Sequence, residues 1–301
     1  MNRTLEETIS LRDKLGIAGA YYELTKPGIT FSVLASMLIG FLMGSAGNLN
    51  LIVMLHAALG TYLIAAGTSA HNMFIERDLD GLMKRTSRRP LPAYKIEPAQ
   101  SFIFSMSLIL AGSFYLIFMV NIVAGLVSLS TTIIYLFAYT PLKRVSALNV
   151  FVGAVPGALP VVGGWAAATG TVFEHGMWIL FGIIYCWQIP HVVAIAWVCK
   201  NDYEHAGFKM LPKNDPRGYK AVLWVILPLL LLLPTVYKLF LMEQLGILFL
   251  AGSLLSTLFF IWYGIRFSLY RDVPSAKSLM FYSFVYLPLV WIFIFADWVF
   301  M

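Results

Sequence analysis

The sequence predicts an all-α, polytopic membrane protein, with nine transmembrane helices in one bundle and its polar loops gathered on the cytoplasmic side. Three observations carry this reading. Of 301 residues, 59% are hydrophobic and only 12% charged, against roughly 25% charged in a soluble domain; the mean hydropathy is +0.79. Apolar runs of roughly 20 residues, enough to cross a hydrocarbon core as helix, recur from end to end. Basic residues fall almost entirely in alternate connections between those runs. No soluble class accounts for this composition, and no nucleic-acid partner is expected.

Taken in order, the expected spans are Gly28–Gly44, Leu51–Ala70, Ala99–Val120, Ile122–Tyr139, Val150–Ala168, Met177–Val198, Ala221–Leu241, Leu245–Ile265 and Leu279–Val299. Very short connections around Ala46, Asn121, Thr169 and Met242 alternate with longer polar ones, the longest following spans two and six. The remaining residues leave no room for a linker or a soluble domain, so one integral-membrane domain over residues 1–301 is expected.

Every Lys and Arg except Lys238 lies in the N-terminal segment or in the second, fourth, sixth and eighth connections. The positive-inside rule makes that side cytoplasmic. Residues 1–27 then form a cytoplasmic N-terminal segment and the C-terminus lies opposite, as an odd number of spans requires. A multi-pass protein of the inner (plasma) membrane follows. Within the N-terminal segment, Leu5, Ile9 and Leu15 suggest a short interfacial helix, and no apolar core of signal-peptide type is present. Cys186 and Cys199 fall in one predicted helix, about 20 Å apart along it, too far for a disulfide; they read as core thiols.

The densest charge is the stretch "HNMFIERDLDGLMKRTSRRPLP", His71 to Pro92, at the end of span two. If the helix continues, Asn72, Glu76 and Asp80 are spaced i, i+4, i+8 and share one face, about 6 Å apart per step. Asp78 points elsewhere. One amide and two carboxylates make a hard-oxygen site suited to Mg²⁺, an ion that keeps waters and bridges to substrate phosphates. Arg77, Lys84, Arg85, Arg88 and Arg89 surround this face in sequence, and guanidinium forks match phosphate oxygens. Acids followed by a basic cluster at a membrane surface point to a metal-bound diphosphate whose apolar tail enters the bundle. The bland account, a solvated loop obeying the positive-inside rule, explains the cations but not the acids.

A second polar cluster, "WQIPHVVAIAWVCKNDYEHAGFKMLP", runs from Trp187 to Pro212. Gln188 and His191 lie inside an apolar stretch, where polar groups are costly and tend to be functional. Asp202 at the cytoplasmic end is placed to complete the metal or phosphate site. "YTPLKRV", from Tyr139, brings Lys143 and Arg144 to the same membrane face. The opposing accounts are a satisfied packing histidine and an ordinary interfacial anchor.

Together these stretches resemble the UbiA-type intramembrane prenyltransferase superfamily, most closely its haem-modifying branch, the protohaem IX farnesyltransferases. The superfamily's first motif, Asn-x3-Asp-x3-Asp, stands here as Asn72, Glu76 and Asp80, with the longer Glu in the middle. "MKRTSRRPLP" and "WQIPH…DYEHAGFKMLP" resemble the haem branch. The quinone branch carries a second Asp-x3-Asp motif, but the positions four residues either side of Asp202 are Val198 and Ala206. The resemblance covers nearly the whole chain, including "LTKPGIT" before span one.

The resemblance implies transfer of a farnesyl group from farnesyl diphosphate to a vinyl group of haem b, with water addition, giving haem O. It implies Mg²⁺ as cofactor and haem b as a substrate. Asn72, Glu76 and Asp80 would hold the metal. Arg85, Arg88, Arg89 and Lys143 would hold phosphate, joined by Arg77, Lys84 and, more weakly, Lys26. Tyr135, Tyr139, Trp187 and Trp197 are available to surround an allylic cation. His191, with Gln188 and Trp187, is the expected haem contact, ahead of His71 and His56. Polar loops capping the active site, contact with membrane lipid, and partners in haem modification or terminal-oxidase assembly complete the expectation. The sister activity, prenylation of an aromatic quinone precursor, lacks its second acidic pair here. A transporter of an anionic lipid or cofactor would need a matching exit site, and the outer connections carry little beyond Glu174, His175, Lys238 and Glu243. Asp297 is expected at an interfacial position and has no assigned role.

Overall fold

The computed structural model describes residues 16–242 and 245–300. The interfacial helix expected around Leu5, Ile9 and Leu15 lies outside the described residues. Among those described, nine helices are long and apolar enough to cross a membrane: α1 (Pro27–Ser45), α2 (Leu51–Asp80), α3 (Pro98–Met119), α4 (Ile122–Val145), α5 (Asn149–Thr169), α6 (His175–Val198), α7 (Tyr219–Phe240), α8 (Ile247–Tyr270) and α9 (Val273–Phe300). A single helical turn, Lys200–His205, follows α6.

Local chemistry sets many of the helix ends. Asn50 caps α2 and Asn121 caps α4, their side-chain oxygens accepting from the N–H of Val53 at 3.2 Å and of Ala124 at 2.9 Å. Pro27 and Pro98 occupy first turns, where a missing N–H costs nothing. α5 stops where Gly170 adopts a φ of 75°, a conformation glycine enters freely.

Lipid gives helices little hydrophobic reason to associate, so close approach at small residues does much of the holding. At Gly40 and Gly164, α1 and α5 approach so closely that a Cβ on either glycine would overlap the backbone of Val161 or Met37. The α5 span is 72% buried, the highest of the nine, and it stands between α1, α4 and α6. The largest apolar core joins α5 to the C-terminal helices through residues such as Val161, Leu180, Leu229, Phe260 and Tyr286.

Several helices outrun their apolar stretches. α2 continues beyond Ala70 and keeps Asp80 inside its last turn; α4 continues beyond Tyr139 to Val145; α9 begins at Val273 rather than Leu279. Hydropathy marks where a membrane would be, whereas backbone hydrogen bonding continues into polar residues. Within α4, the turn Ile134–Tyr139 is π-helical, and the Thr140 N–H donates to the Tyr135 carbonyl. Pro141 follows closely on this turn, and it offers no N–H and crowds the turn before it. Such widened turns are frequent at functional sites.

Asp297, which had no role from the sequence, gains one in the fold. It is buried, and its Oδ2 accepts from the Phe249 N–H at 2.8 Å, so a side chain of α9 caps the first turn of α8. Both thiols are free, Cys186 buried and Cys199 half-buried just past the end of α6.

Candidate functional site

Because α2 remains helical through Asp80, the i, i+4, i+8 spacing places Asn72, Glu76 and Asp80 along one face. All three are buried, at 1%, 6% and 1% exposure. Each side chain meets a cation from a different part of the chain. Lys26 Nζ donates to Asn72 Oδ1 at 2.6 Å, Lys143 Nζ to Glu76 Oε1 at 2.7 Å, and Arg89 to Asp80 Oδ2 at 2.7 Å. These six residues line one cavity of about 90 Å³ with Arg85, Tyr135, Tyr139 and Tyr203, and with Met83, Phe208 and Met210.

The elements around α2 explain how the cations arrive. Lys26 sits in the break between the helical residues 16–24 and α1, with φ 46°, an uncommon conformation for a residue other than glycine. Burial is the main cause, and neighbouring Arg89 the next, of a Lys26 pKa lowered to about 7. The widened turn of α4 is followed by Thr140, whose hydroxyl donates to the Tyr135 carbonyl at 2.8 Å and accepts from Asn72 Nδ2 at 3.2 Å. Tyr135, Tyr139 and Lys143 all reach the cavity from α4, and the Lys143 ammonium lies 4.6 Å from the Tyr139 ring centroid. The loop after α6 is tied to this helix, its Lys209 N–H donating to the Lys143 carbonyl at 2.7 Å.

From that loop, Tyr203 contacts Arg85, which donates to its hydroxyl at 3.3 Å. Burial raises the Tyr203 pKa. Met83 of the loop after α2 packs in one apolar cluster with Ala206, Phe208 and Met210 of the loop after α6.

The other expected site residues lie elsewhere. Arg77 follows Glu76 on the helix and is rotated away, donating to the Phe74 carbonyl at 2.7 Å and stacking over that ring. Lys84 and Arg88 are exposed and outside the cavity lining. Asp202 also lies outside it, and its neighbour Tyr203 takes that place; consecutive helical residues point about 100° apart. Trp197 packs on Phe267. His71 and His56 are satisfied between helices, by the Ser105 and Tyr115 hydroxyls at 2.9 and 2.7 Å.

Trp187 and His191, one turn apart on α6, face α9. Their rings stack at 5.0 Å, the Trp187 N–H donates to the Ser283 carbonyl at 2.7 Å, and His191 Nδ1 lies 2.6 Å from Ser283 Oγ. Gln188 turns to α5, where its Nε2 donates to the Gly153 carbonyl at 3.4 Å. Sequence reasoning did not single out Tyr203, Phe208, Met83, Met210 or Thr140. The first four lie in the two charged stretches already recognised, where attention goes to charge; Thr140 was marked only by the proline after it.

Lys26, Arg85, Arg89 and Lys143 outnumber Glu76 and Asp80 in the cavity. A closed structural ion-pair network would balance, so the surplus fits an anion. The amide and two carboxylate oxygens are a hard donor set that fits Mg²⁺, and each now holds a positively charged partner where a metal's charge could substitute. Among the described residues no group of three or more His, Cys, Asp or Glu is placed to hold a metal ion.

Comparison with known proteins gives a consistent picture. The profile of the UbiA prenyltransferase family matches residues 33–285. The chain is 38% identical over 280 residues to a protoheme IX farnesyltransferase of Solibacter usitatus, covering 90% of this chain and 96% of the relative. It is 37% identical over 278 residues to a protein of the same name from Salinibacter ruber, covering 92% and 98%. Among solved structures, a digeranylgeranylglyceryl phosphate synthase superposes with a TM-score of 0.79 at 16% identity, over 95% of this chain and 99% of the other. A UbiA homolog from Archaeoglobus fulgidus bound to GPP and Mg²⁺ gives 0.63 at 16% identity, over 91% and 99%. At these identities the two structures establish a shared fold.

Proposed function

Because this chain belongs to the UbiA prenyltransferase family, we propose that it transfers the farnesyl group of farnesyl diphosphate to a vinyl group of haem b, giving haem O and diphosphate. The observation that carries the reading is the face of α2 on which Asn72, Glu76 and Asp80 each hold a cation, Lys26, Lys143 and Arg89. The names of the curated relatives supply the substrates, and the Archaeoglobus homolog of the same fold carries a prenyl diphosphate and Mg²⁺.

The reaction breaks the C1–O bond of the allylic diphosphate, and the electron pair leaves on oxygen. Lys26, Arg85, Arg89 and Lys143 hold that leaving group and oppose its growing charge. Mg²⁺ bound by Asn72, Glu76 and Asp80 would add positive charge at the same oxygens. Preorganised charge in a water-poor site is worth far more than in bulk. The faces of Tyr135, Tyr139, Tyr203 and Phe208 offer π density to the allylic cation. Vinyl π electrons then form the new C–C bond, water adds to the resulting cation, and a proton is released. The loops after α2 and α6, joined at Met83 and Phe208, cap the active site and limit water at this stage.

The haem contact is His191, with Trp187 stacked beside it. The Met280 carbonyl lies 2.5 Å from the Ser283 hydroxyl as an acceptor for its proton, an arrangement in which Ser283 Oγ accepts from His191 Nδ1–H. In that tautomer Nε2 keeps its lone pair, the arrangement of an iron-ligating histidine. The protein sits in the inner membrane with its N-terminus and the diphosphate site on the cytoplasmic side.

The test is incubation of purified protein with haem b, farnesyl diphosphate and Mg²⁺, followed by chromatography and mass spectrometry of the extracted haem, with an EDTA control. Metal-dependent haem O is expected. Unmodified haem alongside prenylated 4-hydroxybenzoate would move the protein to the quinone branch, and no turnover of either by folded protein would revive the transporter reading.

A further inference from the structure

We infer that Thr140 is a positioning residue that fixes which end of the Asn72 amide faces the metal site. The inference rests on the metal role given above to Asn72 and on the hydrogen bonds around its amide. An asparagine amide presents an oxygen on one side and an NH₂ on the other, and its shape does not distinguish them. Only the oxygen can ligate a cation.

Thr140 is buried at 3% exposure and follows the π-helical turn Ile134–Tyr139. Its hydroxyl lies 2.8 Å from the Tyr135 carbonyl, a group that can only accept. In the arrangement found, the hydroxyl proton goes to that carbonyl, and Thr140 Oγ1 accepts from Asn72 Nδ2. Asn72 Nδ2 lies 3.2 Å away, with its NH₂ facing Thr140. The carbonyl oxygen is then turned to the cavity, where Lys26 Nζ lies 2.6 Å from it. A flipped amide would set its NH₂ against Lys26 Nζ and would require the Thr140 hydroxyl to leave the Tyr135 carbonyl for Asn72. The widened turn of α4 thus transmits an orientation to α2 through one hydroxyl.

Thr140→Val keeps the shape and removes the hydroxyl; Thr140→Ser keeps it. Binding of Mn²⁺ as the probe ion, titrated by electron paramagnetic resonance in the presence of inorganic diphosphate, reads the site without turnover. Loss of a partner that orients a metal ligand typically costs roughly 10–100-fold in affinity, so Thr140→Val should weaken Mn²⁺ by that order and Thr140→Ser should restore it. In an Asn72→Asp background both terminal atoms are oxygens, so Thr140→Val should bring no further loss. Equal Mn²⁺ affinity in Thr140→Val and the parent protein would overturn the inference, as would a loss of the same size in the Asn72→Asp background, which would make the role merely structural. If the parent protein bound no Mn²⁺ with diphosphate, the metal reading itself would fall, and this inference with it.

Discussion

Lys143 of α4 and Glu76 of α2, 67 positions apart in sequence, meet with Nζ 2.7 Å from Oε1 and side-chain exposures of 12% and 8%. Removing one member of a buried pair strands the other charge, at a cost of about 3–5 kcal/mol. Lys143→Met should therefore lower thermal stability in detergent, and Glu76→Gln/Lys143→Met should recover part of the loss. Turnover should fall in both by on the order of 10²–10³. A double variant no more stable than Lys143→Met would show that the pair is not the source of the loss.

Asp80→Asn preserves shape and removes the charge facing Arg89. Steady-state assays should show turnover lower by at least about 10², together with a higher Mg²⁺ requirement, and the melting temperature should fall as well, because the partly buried Arg89 loses its charged partner. Parent-level activity at limiting Mg²⁺ would take Asp80 out of the metal set.

His191→Ala should weaken haem binding by about 10-fold or more, equivalent to at least about 1.4 kcal/mol, and leave farnesyl diphosphate binding unchanged. Absorbance titration of haem and calorimetry of an unreactive diphosphate analogue measure the two separately. Equal losses for both ligands would remove the haem role.

Asp297 caps α8 through Phe249. Asp297→Ala should lose about 0.5–2 kcal/mol of stability, a typical cost for a deleted cap, whereas Asp297→Asn keeps an acceptor oxygen and should melt close to the parent. Thermal denaturation of the two variants decides it: an Asn variant as unstable as the Ala variant would mean that charge, not capping, is the contribution.

What the sequence determined by itself was local and periodic. Hydropathy is sufficient to count nine spans, because a bilayer imposes one length on every helix that crosses it. The spacing of Asn72, Glu76 and Asp80 is sufficient to put them on one face, because 3.6 residues make a turn. Tertiary structure alone decided which cation meets which oxygen. Lys26, Arg89 and Lys143 approach α2 from a helix break, a loop and another helix, and no sequence period relates positions brought together by packing. Packing also brought the helical turn after α6 to the cavity, where the step of about 100° between consecutive residues presents Tyr203 and not Asp202. It separated Gln188 from His191, since neighbours three positions apart still part when one is held by α5 and the other by α9. The Asn72 amide is held between the Thr140 hydroxyl and Lys26 Nζ, and only the folded chain supplies those contacts.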